Sequence, residues 1–173
     1  MKESFEQMLT GGHPNSLGRT VEVVELIMQD KSLLEELFQC YQSKDEVVRL
    51  RTSNAFIRVT KAHREWVVPY LDRFLNEISE LYQASAQWTL AQLFLMMTKD
   101  MSETQMTRAK DVLQRNLANH TDWIVLAQTM ETLGKWSKKD PTLKEWLLPH
   151  LERLSQDGRK SVANKASKVS ASL

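Results

Sequence analysis

Trp66-Val-Val-Pro-Tyr-Leu-Asp-Arg-Phe-Leu75 and Trp146-Leu-Leu-Pro-His-Leu-Glu-Arg-Leu154 are one amphipathic, proline-containing segment written twice, 80 residues apart (66 to 146). A unit that recurs so far along a chain of 173 residues argues for repeats. Repeated elements that cannot bury an apolar face alone stack on their neighbours as a solenoid.

Outward from these two segments, capping signals and helical periodicity divide the chain. Residues 1–15 are expected to form a short lead-in, with a helical turn around Phe5 and Met8 and then the turn formers Gly11-Gly-His-Pro-Asn15. Asn15-Ser16 is expected to cap a helix over 17–29 that Asp30 closes. Ser32-Leu-Leu-Glu35 and Ser43-Lys-Asp-Glu46 have capping-box spacing and predict helices over 32–43 and 45–60. The proline-bearing helix 64–79 follows, then 82–98, then one opened by the box Ser102-Glu-Thr-Gln105. The last three are 122–137 after Thr121-Asp122, 141–155 with Asp140 as cap and Pro141 in the first turn, and 158–171.

Alternate helices superimpose on a frame of core positions i, i+3, i+4, i+7. The copies are Thr20, Val23, Val24, Ile27; Thr52, Ala55, Phe56, Val59; Ala86, Thr89, Leu90, Leu93; Leu126, Thr129, Met130, Leu133; and Val162, Lys165, Ala166, Val169. Their starts at 20, 52, 86, 126 and 162 are separated by 32, 34, 40 and 36 residues. The intervening helices place Leu37, Leu71, Leu113 and Leu151 in equivalent positions, and these leucines are expected in the core with Phe56, Leu90 and Met130.

These residues resemble the HEAT repeats, an armadillo-type family of helical pairs, over nearly the whole chain. The family's first helix carries a proline near its middle, as Pro69 and Pro149 do here. An aspartate follows in the turn, matched by Asp157, and the second helix opens with a Val-Arg-like pair, matched by Val48-Arg49 after Asp45. The unit 102–120 lacks the proline, Glu77 stands where Asp157 stands in the last unit, and the Val-Arg pair occurs once. The resemblance implies an all-α fold: a right-handed α-α superhelix of about four HEAT-like helical pairs behind an N-terminal cap helix, with residues 16–173 as one domain. Both prolines are expected to bend their helices, because each removes one helix hydrogen bond.

In HEAT-like solenoids the second helices line the concave surface. The resemblance therefore implies a partner-binding face at Arg19, Arg51, Asn54, Arg58, Trp88, Gln92, Asp122, Trp123 and Gln128. Mixed polar groups with a large aromatic suit a peptide groove, although the solvent side of any amphipathic helix is also polar. The expected function is a non-catalytic protein–protein interaction scaffold, monomeric or weakly dimeric, holding a segment of a protein or peptide partner. The alternative is a nucleic-acid-binding protein related to the HEAT-like DNA glycosylases that act on alkylated bases, with aromatic and acidic residues such as Trp88, Trp123 and Asp122 beside a base. Charge argues against that enzyme: 23 basic residues face 22 acidic ones, a net charge of +1, and phosphate tracking needs a strongly positive groove. A local basic excess appears only over 157–173, where Arg159, Lys160, Lys165 and Lys168 face Asp157.

Other chemistry finds little support. His13, His63, His120 and His150 are dispersed without metal-ligand spacing, and no glycine-rich phosphate loop is visible, so neither metal nor cofactor is expected. Cys40 is the only cysteine and is expected to pack in the core, which suits a reducing, cytoplasmic setting. Lys2, Glu3 and Glu6 stand where a signal peptide needs an apolar run, and Leu93-Phe-Leu-Met-Met97 is too short to span a bilayer, so no membrane role is expected.

Overall fold

With 5 Gly and 4 Pro among 173 residues, little in the chain breaks helix. The computed structural model describes residues 2–173 and shows α-helices joined by 3-10 turns, with no strand among the described residues. The helices are α1 (Phe5–Leu9), α2 (Thr20–Gln29), α3 (Leu34–Gln39), α4 (Glu46–Ala62), α5 (Arg64–Val67), α6 (Leu71–Asn76), α7 (Ala84–Met96), α8 (Glu103–Asn119), α9 (Trp123–Ser137), α10 (Pro141–Ser155) and α11 (Lys160–Ala171). They gather into two compact units, one ending at Thr89 and one running Leu90–Leu173. Every frame position is buried except Val24 and Lys165, which are half-buried, and Leu37, Leu71, Leu113 and Leu151 are buried too.

In the first unit α2 packs along α4, and α1 docks on α4 as well. The described part of the expected lead-in, residues 2–15, contributes to the core: Phe5, Met8 and Leu9 are buried, and α1 begins with a complete capping box between Ser4 and Gln7. The unit's centre is aromatic. Phe38, Tyr41, Phe56 and Phe74 meet largely edge to face, with centroids 5.1–6.1 Å apart, and the buried Tyr41 hydroxyl is 2.8 Å from Ser53 Oγ. Cys40 is buried beside them, as expected, and its thiol donates to the Glu36 carbonyl at 3.4 Å.

Several predicted starts in this unit shift, always for an identifiable reason. Helix α2 begins at Thr20, not 17, because Gly18 adopts a left-handed φ of 51° that no helix can include. The Ser16 hydroxyl consequently caps no helix and accepts from the Gly18 amide at 3.1 Å. Ser32 loses the capping role to Asp30, whose carboxylate accepts from both the amide and the hydroxyl of Ser32, at 3.0 and 2.6 Å. Likewise Asp45, not Ser43, caps α4, accepting from the Val47 amide at 2.8 Å. In both cases an ionised acceptor two residues before the amide outcompetes a serine. The expected helix over 64–79 is broken into α5, a 3-10 turn at Val68–Tyr70, α6 and a second 3-10 turn at Ile78–Glu80.

The second unit is more regular. The Ser102–Gln105 capping box opens α8, Asp122 caps α9 through the amides of Ile124 and Val125, and Asp140 caps α10 with Pro141 at its first position. Helix α9 packs against α8, α10 and α11, and α10 packs along α11. Gly134 permits the close approach of α9 to α11, since a Cβ there would lie 2.6 Å from Val169 Cγ1. Thr132 Oγ1 donates to the Ala91 carbonyl at 2.8 Å, and Trp136 Nε1 donates to Thr98 Oγ1 at 2.9 Å.

Candidate partner-binding face

Burying Val48, Thr52, Ala55, Phe56 and Val59 turns the opposite stripe of α4 outward, so that Asn54 is half-buried and Arg58 exposed. Asn54 Oδ1 accepts from Arg58 Nε at 2.7 Å, holding the guanidinium along the helix. Trp88 and Gln92 are half-buried one turn apart on α7, and Gln128 is half-buried on α9. Asp122 is occupied as a cap, while Trp123 beside it is 52% exposed. Arg19 is exposed in front of α2 and forms ion pairs with Glu3 and Glu22, both at 2.8 Å. The Glu22 and Glu3 carboxylates raise its pKa further.

Arg51 is a correction. Expected on the partner-binding face, it is 2% exposed, and its guanidinium donates to four backbone carbonyls of its own chain. Nε reaches Ser16 at 3.1 Å, Nη1 reaches Leu9 at 2.8 Å and Gly11 at 2.6 Å, and Nη2 reaches His13 at 3.2 Å. The positive charge thus organises the 9–16 segment and offers nothing to a partner.

No protein-family model, curated protein or solved structure matches the chain.

Groups with reactive potential are mostly engaged. Burial, with Glu6 and Glu36 nearby, pushes the Cys40 thiol up to about 12, so it stays protonated at neutral pH. His63 lies flat on Trp66 at 3.9 Å and within 3.1 Å of Glu65. His120 accepts from the Asp122 amide at 3.1 Å, and His150 packs on Trp146 at 4.2 Å with its pKa lowered by burial and by Arg153. Among the described residues no three His, Cys, Asp or Glu side chains are gathered where one metal ion would sit, and no helix is long and apolar enough to cross a membrane.

One charged group draws only Lys165 and Lys168 from the basic stretch over 157–173. Glu131 and Lys135 on α9, Lys138 just past its end, and Lys165 and Lys168 on α11 line a common cleft. The signal was present in Lys165, which occupies a frame position that the other copies fill with Val, Ala or Thr.

Proposed function

We propose that this chain is a non-catalytic protein-interaction scaffold of HEAT-like repeats. It holds a segment of a partner protein against the solvent-facing stripes of its second helices, in the cytoplasm, as a monomer or weak dimer. The observation that carries this reading is the spacing of side-chain bonds between elements. Thr10 to Asp45 spans 35 residues, Arg49 to Gln83 spans 34, Arg73 to Glu35 spans 38, Lys165 to Glu131 spans 34, and Arg153 to the Leu117 carbonyl spans 36. Neighbours in a stack of helical pairs would be tied at this interval, the same as the frame steps of 32 to 40 residues. A stack of this kind leaves one stripe of each second helix to a partner. Those stripes carry Asn54 and Arg58, Trp88 and Gln92, and Trp123 and Gln128, which are polar groups with aromatic anchors. A non-catalytic role is supported by the protonated Cys40 thiol and the engaged histidines.

The test is affinity capture with the full chain and with Trp88→Ala and Asn54→Ala/Arg58→Ala variants of unchanged melting temperature, alongside binding to random duplex DNA at low and moderate salt. A captured protein that the variants release supports the scaffold. Tight, steeply salt-dependent DNA binding that is lost with Arg58→Ala, and no captured protein, overturns it in favour of the nucleic-acid alternative.

A further inference from the structure

Helices α9 and α11 pack side by side over Gly134 and Val169. Beside that contact lies a cleft of about 220 Å3 lined by Glu131, Lys135, Lys138, Lys165, Lys168 and Ser172. Glu131 sits between two ammonium groups, hydrogen-bonded to Lys165 Nζ and 3.1 Å from Lys135 Nζ. Lys138 and Lys168 are exposed, and neither forms an ion pair among the described residues. Four ammonium groups and one carboxylate give the lining a local charge of 4 − 1 = +3, in a chain whose net charge is +1.

We propose that this cleft docks an acidic segment of a partner protein, with neighbouring Asp or Glu carboxylates received by Lys138, Lys168 and the outward donors of Lys135. The proposal rests on the scaffold reading and names the chemistry of its partner. Charge complementarity selects an anion, and two further features favour an acidic peptide over a nucleic acid. No aromatic ring lines the cleft, so a base would have nothing to stack on. The volume suits one or two side chains rather than a continuous run of nucleotides, and Glu131 holds Lys135 and Lys165 in place. Because Glu131 already orders those two lysines, a partner meets them with part of their side-chain entropy lost beforehand.

The experiment titrates the full chain with a fluorescein-labelled oligoglutamate peptide, the corresponding oligoglutamine peptide and labelled single-stranded DNA, each also against Lys138→Glu/Lys168→Glu. Both substituted side chains are exposed, and an unchanged melting temperature confirms the fold. The expected result is oligoglutamate binding that weakens at least about tenfold in the charge-reversed variant, with no binding of oligoglutamine. Failure of oligoglutamate to bind, binding indifferent to the charge reversal, or tighter binding of the DNA each overturns the proposal. Partner capture that depends on Trp88 but not on Lys138 and Lys168 would overturn the cleft while leaving the scaffold standing.

Discussion

Arg51→Met keeps most of the buried stem and deletes the guanidinium, which makes it the sharpest probe of the first unit. Of the four carbonyls that Arg51 serves, the bond to Leu9 is buried and those to Gly11, His13 and Ser16 are part-buried. An acceptor left buried without a partner costs about 1–3 kcal/mol, and each one that water can reach loses about 0.5–1.5 kcal/mol. Against this, the variant no longer desolvates a cation, which offsets part of that loss. The expected net loss is about 2–4 kcal/mol, read as a lower urea midpoint, with faster amide exchange concentrated between residues 9 and 18.

A second substitution isolates the cause. An Ala at position 18 would place its Cβ 2.8 Å from both Cζ and Nη1 of Arg51, at a backbone φ of 51°. Gly18→Ala alone should therefore cost the left-handed backbone strain, about 1–2 kcal/mol, plus the displacement of the guanidinium. In the Arg51→Met background only the backbone part remains, because the flexible thioether can move aside, so the double-mutant cycle should return a coupling of about 1–2 kcal/mol. Strictly additive penalties, or an Arg51→Met variant with unchanged urea midpoint and unchanged exchange over the 9–18 segment, would refute the assignment of Arg51 as the post that holds the segment.

Two further expectations belong to the second unit. Thr129 is fully buried and its hydroxyl has no hydrogen-bond partner, so Thr129→Val should raise stability by about 1 kcal/mol in urea unfolding, and a destabilised valine variant would show the hydroxyl to be bonded. Asp140 binds Lys110 Nζ at 2.7 Å and accepts from the Leu143 amide at 3.0 Å, and these contacts, Lys110 foremost, lower its pKa. A carboxyl whose folded pKa is depressed stabilises fully above its unfolded value and loses that contribution as pH falls through the folded one. Asp140→Asn keeps a cap but not the charge, so its cost of about 1 kcal/mol at neutral pH should shrink steadily below about pH 4, and a difference independent of pH would contradict this.

The helix starts that read true are those where one strong signal stands alone, as at Ser102–Gln105, Asp122 and Asp140-Pro141. Where an aspartate and a serine compete within two or three residues, as at Asp30 and Ser32 or Asp45 and Ser43, the motif alone could not say which one would cap. Burial of the frame was legible because threonine can return its hydroxyl to its own backbone and still face a core. Thr52 does this, bonding to the Val48 carbonyl at 2.7 Å. Arg51 was not legible, because side-chain type argues for the surface and the carbonyls that receive it lie 35 to 42 residues away, at the end of α1 and in the loop after it, which present them only once folded. Lys165 departs in the opposite sense: its frame position predicts burial, whereas an amine at the edge of a core position is free to reach a carboxylate 34 residues away.

The duplicated segment separates what a repeated motif specifies from what it leaves to context. Both copies bury the same face: Val67 and Leu71 in the first and Leu147 and Leu151 in the second are at most 1% exposed, while Pro69 and Pro149 are exposed and Trp66 and Trp146 are half-buried. The backbone path differs. Pro149 lies inside the uninterrupted α10, whereas Pro69 falls in a 3-10 turn between α5 and α6. Neither proline can donate to the residue four positions before it, so each helix must survive that loss on whatever precedes it. Helix α10 has run two turns from a start fixed by Asp140 and Pro141 before it meets Pro149. Helix α5 has only Arg64–Val67 behind it and no side-chain cap at His63, so the chain tightens to i, i+3 bonding there and Leu71 N donates to the Val68 carbonyl. The shared apolar spacing thus fixes which side chains enter the core, and the strength of the preceding cap decides whether the helix passes through its proline.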